Sequence, residues 1–136
     1  EGSSCLARER YDYMFQKRVL DEHYRTYGGS YGWVLAGLRA SRKLMRKENL
    51  AKIKTPVLLF AAGHDHMVDN DAIERFAELT NRTELFFMPD SRHEIFNADE
   101  RTRTKYYDEI FRFIKEEEVK DYENENEQTR KILGTV

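Results

Sequence analysis

The chain has 136 residues, 40% hydrophobic and 35% charged, which is enough for one domain with a modest core and too apolar for a disordered segment. Its charges nearly cancel, to a net −2, so composition gives no electrostatic case for a nucleic-acid partner. The single cysteine, Cys5, has no partner for an internal disulfide, and no apolar run approaches the length needed to span a membrane. The N-terminal stretch EGSSCLARER has neither the basic start nor the apolar core of a signal peptide, and it lacks an initiator methionine. We therefore expect a cytoplasmic location and a chain that is processed or cut from a longer one.

Residues 8–27 read as a helix, because Tyr11, Met14, Phe15 and Val19 recur at three- and four-residue steps. Gly28 and Gly29 end it. A second helix is expected over 33–46, with Val34, Leu35, Leu38 and Leu44 on one face. Arg39, Arg42, Lys43, Arg46 and Lys47 crowd the remainder. The period then changes. VLLFAA, residues 57–62, is apolar throughout and bounded by Pro56 and Gly63, as a strand covered on both faces would be. Asp69 or Asn70 caps a third helix, with Ile73, Phe76, Ala77 and Leu79 on its buried side. TELFFM, residues 83–88, is a second strand, and a loop, PDSRHE, follows it. A final helix is expected over 99–116, with Tyr106, Ile110, Phe113 and Ile114 inward. Residues from 119 onward are rich in Glu, Asn, Lys and Gln and read as a solvated helix extension or a disordered tail.

Strand, helix, strand, helix with short connections is the pattern of an α/β fold with parallel strands. Two strands alone make a poor sheet, so the pattern looks like the edge of a larger one. In such sheets, working residues lie in loops at the carboxyl ends of the strands. Asp65 stands three residues past the first strand and His93 five past the second, so parallel pairing brings both to one edge. A carboxylate there accepts a hydrogen bond from imidazole Nδ1–H, fixes the tautomer, and stabilises the imidazolium formed when histidine takes a proton from a nucleophile.

Four segments carry a resemblance to a known family. Residues 53–68, IKTPVLLFAAGHDHMV, are similar to the segment of α/β hydrolases in which a G-x-D-x-x-V run bears the catalytic acid. Ser91-Arg92-His93-Glu94, with Arg101, Tyr107 and 110–114 after it, resembles the histidine loop and closing helix of the lysophospholipase and monoacylglycerol lipase group. RERY at 8–11 and GGSYGW at 28–33 resemble two cap-region motifs of bacterial lysophospholipases. The resemblance covers about residues 6–116. It implies cap-region helices over 1–52, the C-terminal half of an α/β-hydrolase core over 53–118, and a charged tail over 119–136. It also implies Asp65 as triad acid, His93 as base, a fatty-acyl ester or other ester substrate and no cofactor. The family's N-terminal strands, oxyanion loop and nucleophile elbow have no counterpart here, so the chain is expected to supply the acid and base without the nucleophile.

Gly28-Gly29-Ser30-Tyr31-Gly32 matches G-x-S-x-G by letter. An elbow needs a buried strand before its serine, and residues 20–27 are charged and helix-patterned, so Ser30 is expected in a helix–loop–helix turn. His64 and His66 form an H-x-H pair with no third ligand at hand and are read as two neutral histidines rather than a metal site. Glu94 is either a partner behind the triad or a turn residue before the last helix. The basic residues 39–47 would suit either a solvated face or contact with anionic lipid headgroups. If the chain is a complete product, an open strand edge and apolar face would favour a non-catalytic, self-associating or swapped dimer.

Overall fold

The computed structural model describes residues 6–25 and 28–133, so Cys5 lies outside the described residues. Seven regular elements follow in order. They are α1 (Arg8–Leu20), α2 (Tyr31–Leu44), the short α3 (Lys47–Leu50), β1 (Val57–Ala62), α4 (Asn70–Leu79), β2 (Thr83–Met88) and α5 (Glu100–Leu133). The two strands pair in parallel with Val57 opposite Thr83 and Ala62 opposite Met88. Both expected strands therefore form over the expected residues, and α4 is the crossover between them.

Alternation along the register divides the sheet into two faces. Phe60, Ala62, Phe86 and Met88 share one, where Ala62 and Met88 pack with Ile95 into a buried cluster joined by Tyr106 of α5. The rings of Phe60 and Tyr106 lie 4.6 Å apart and those of Phe60 and Phe86 5.8 Å apart, edge on. Charge reinforces this attachment. Arg112 on α5 pairs with Glu84 on β2, and Arg82 bonds Glu117 at 2.9 Å and the Lys54 carbonyl at 3.1 Å. Helix α4 lies against both strands. Asp69 caps it by accepting from the Asp71 amide at 3.0 Å.

Three expectations change. The first helix stops at Leu20, because the Asp21 side chain accepts from the His23 amide at 2.9 Å and turns the chain into a short 3-10 segment, Glu22–Tyr24. The closing helix does not stop at 116 but runs to Leu133, so the described part of the tail is helix rather than disorder. Pairs three or four residues apart, Lys120 with Glu117 and Lys131 with Glu127, support that extension in solvent. The apolar faces of α1 and α2 are not buried: Val19, Trp33, Val34, Leu35 and Leu38 are all exposed, as is Ile114 on α5. No helix among the described residues is long and apolar enough to cross a membrane.

Candidate active site

Parallel pairing does not end with the strands. The Gly63 amide donates to the Met88 carbonyl and the His64 amide to the Ser91 carbonyl, both at 2.9 Å, so the two exit loops remain joined beyond the sheet. Gly63 is required by this approach. A Cβ there would lie 2.8 Å from Pro89 Cα and closer still to the Pro89 carbonyl oxygen, with no flexible side chain to yield. Ser91, completely buried, donates its hydroxyl to the Met88 carbonyl at 2.9 Å and closes the turn beneath the histidine loop.

Asp65 and His93 emerge from these joined loops and meet. His93 Nδ1 lies 3.0 Å from Asp65 Oδ2. The carboxylate can only accept, so Nδ1 carries the proton, and in the neutral ring Nε2 then keeps its lone pair. The other carboxylate oxygen, Oδ1, accepts from the Met67 amide at 2.8 Å and the Val68 amide at 3.2 Å. One aspartate thus shapes the 65–68 turn with one oxygen and orients the imidazole with the other. Its side chain is 4% exposed, against 39% for His93, so the carboxylate is enclosed while the imidazole remains open to solvent.

Burial pushes the Asp65 carboxyl pKa upward. Hydrogen bonds from the Met67 amide, the His93 ring and the Val68 amide, with the attraction of the imidazole, outweigh that and hold it below its ordinary 3.8. Asp65 is therefore ionised throughout the neutral range. The loop is also tied at its root. The Ala62 carbonyl accepts from the Asp65 amide at 3.2 Å and from the Asn70 side chain at 2.9 Å.

The remaining candidates separate from this pair. Ser30 begins α2, where its Oγ accepts from the Trp33 amide at 3.2 Å, which is the work of a helix N-cap. Among the described residues, the segment before it is a helix and a 3-10 turn with no strand. His64 and His66 are exposed, and no group of three His, Cys, Asp or Glu side chains among the described residues converges as a metal site. Glu94 accepts from Asn97 at 3.1 Å. Gly63 and Ser91 fall within the sequence motifs, but their structural roles, like that of Asn97, are not read from the sequence. The strand-terminating Gly63 was the nearest thing to a signal, since a glycine directly after a buried strand often marks a close backbone approach.

Gly63→Ala should cost about 1–3 kcal/mol by overpacking, read from urea denaturation, and should lengthen or break the Asp65–His93 bond. The acid shift gives a second expectation. A carboxyl whose folded pKa is depressed contributes stability above its unfolded pKa and loses it as pH falls through the folded value. Stability attributable to Asp65 should be intact at neutral pH and decline below pH 3.8. Urea midpoints measured from about pH 5 to pH 2 should fall less steeply in Asp65→Asn than in the parent chain.

Comparison with known proteins gives a family match. The model of the family described as serine aminopeptidase, S33, matches residues 6–100, from just before α1 to the start of α5, and so takes in both Asp65 and His93. No curated protein and no solved structure matches. The match spans well over half of the chain, and with the parallel strand pair and its flanking helices it places this chain in the S33 serine aminopeptidase family of α/β hydrolases.

Proposed function

We propose that this chain supplies the acid and base of a serine hydrolase acting on carboxylic esters, with Asp65 as acid and His93 as base, and that the nucleophile is not Ser30. The observation carrying this reading is the 3.0 Å contact of His93 Nδ1 with an Asp65 whose other oxygen is held by two backbone amides. In the reaction, His93 Nε2 takes the proton of a serine hydroxyl as its oxygen attacks the ester carbonyl. The resulting imidazolium, stabilised by Asp65, returns that proton to the departing alkoxide. Water then repeats the sequence on the acyl-enzyme. Nothing in these steps calls for a cofactor.

The substrate we propose is a fatty-acyl ester of the lysophospholipid or monoacylglycerol kind. It rests on the resemblance of the cap motifs and the histidine loop, since fold alone leaves substrate open. The exposed apolar residues Trp33, Val34, Leu35 and Leu38 on α2, beside Arg39, Arg42 and Lys43, are suited to an anionic lipid surface. Family membership equally admits aminoacyl substrates, so fatty-acyl esters and aminoacyl anilides should be assayed side by side.

With the nucleophile-bearing half present, Asp65→Asn and His93→Ala should each lower kcat for ester hydrolysis by about 10³–10⁴ with little change in folding. Near-normal turnover in either variant would remove the assignment. The 136-residue chain by itself should resist a fluorophosphonate probe. Labelling that vanishes in Ser30→Ala would instead make Ser30 the nucleophile.

A second reading, a non-catalytic domain that self-associates, is favoured by one observation. Phe15, Leu20, Trp33 and Leu38 are exposed beside a two-stranded sheet with open edges. On that reading, size-exclusion chromatography should show a dimer whose fraction rises with concentration, and a monomer at every concentration would count against it.

A further inference from the structure

Asn97 is 4% exposed and closes the short 3-10 turn, Ile95–Asn97, that follows His93. Its amide is fully engaged. Oδ1 accepts from Arg10 Nε at 2.7 Å, and Nδ2 donates to Glu94 Oε2 at 3.1 Å and lies 3.3 Å from Met14 Sδ. Arg10 and Met14 are four residues apart on one face of α1. One buried side chain therefore joins the cap-region helix to the residue next to His93, across more than eighty positions of sequence. The turn carries the link onward, since the Ile95 amide donates to the His93 carbonyl at 3.1 Å and the Asn97 amide to the Glu94 carbonyl at 3.0 Å.

We propose that Asn97 is a positioning residue that latches helix α1 to the histidine loop, so that docking of α1 helps hold the His93 imidazole toward Asp65. This rests on the reading of Asp65 and His93 as acid and base. The chemistry explains why an asparagine stands here. Between a guanidinium and a carboxylate, a primary amide offers an acceptor to one and a donor to the other. An aspartate would set like charge against Glu94, and an alanine would leave two polar groups without their buried partner. A turn residue acting only on its own loop would use the Glu94 contact and have no need of Arg10. The latch needs both.

The test reads the tautomer of His93 from imidazole ¹⁵N shifts of the full chain. In the parent chain, Asp65 should hold the ring as the Nδ1–H form. Arg10→Ala, at an exposed position, and Asn97→Ala should each raise the ratio of Nε2–H to Nδ1–H by about twofold or more, since the bond made by one nitrogen sets the proton on the other. The double variant should add little beyond the larger single effect, as partners in one network do. Should Asn97→Ala fail to fold, Arg10→Ala decides the matter by itself. An unchanged ratio in Arg10→Ala overturns the latch. Asp65→Ala separates the two readings: a ratio that rises there while Arg10→Ala does nothing overturns the latch alone, and a ratio that does not rise overturns the acid–base pair and the latch with it.

Discussion

Two loops cross at Gly63 and Pro89 with no room for a side chain between their backbones. The site depends on that approach. Because the strands pair in parallel and in register, Ala62 and Met88 end side by side. The amides of Gly63 and His64 then keep bonding to the opposite loop after the sheet has ended. Only after that zipped stretch do the loops part, Asp65 on one side and His93 on the other, at the separation of a hydrogen bond. A shift of one residue in register would send every strand side chain to the opposite face and move the two groups out of line together. Positioning of the pair is thus a property of backbone pairing more than of contacts around the side chains.

The electrostatics follow from the same geometry. Enclosing a carboxylate disfavours its charge, and an acid buried without donors would be neutral and useless for orienting a base. Asp65 avoids this because its loop turns at once and aims two backbone amides at one of its oxygens. Fixed amide donors and the imidazole prevail over burial, and the group stays ionised. As an ionised acceptor it holds the His93 ring by Nδ1–H. On the reading proposed above, the exposed side of His93 is where a hydroxyl arrives, and the difference in exposure between the two residues suits that division of work.

Much of this was legible in the sequence, and particular residues show why the rest was not. The strands announce themselves because VLLFAA and TELFFM are short apolar runs between turn formers, and their ends fix where Asp65 and His93 must lie. Ser30 could be set aside from its charged, helical surroundings, and its capping bond agrees with that. The end of the first helix was missed because Asp21 competes for the backbone with its own side chain, an event that the apolar period of the preceding turns does not encode. The sequence left the reach of α5 open between helix extension and disorder, because a polar helix held by pairs such as Lys120 with Glu117 looks, by composition, like a disordered tail. Asn97 was missed for a different reason. Its partners Arg10 and Met14 are distant in sequence, and no local pattern ties them to it.

The exposed faces of α1 and α2 show how lightly these helices are attached. Were these helices held by burial, Phe15, Val19, Trp33 and Leu38 would be enclosed. They are exposed, while the polar Asn97 is not. An element joined to its neighbour through directional hydrogen bonds, with little apolar area buried, is drawn from the low-stability end of a fold and opens at a smaller free energy than the core. The strand pair, α4 and the inner turns of α5 carry the apolar packing and keep the register that sets Asp65 beside His93. On the latch proposed above, a movement of α1 would leave the strand register intact and loosen only the His93 imidazole.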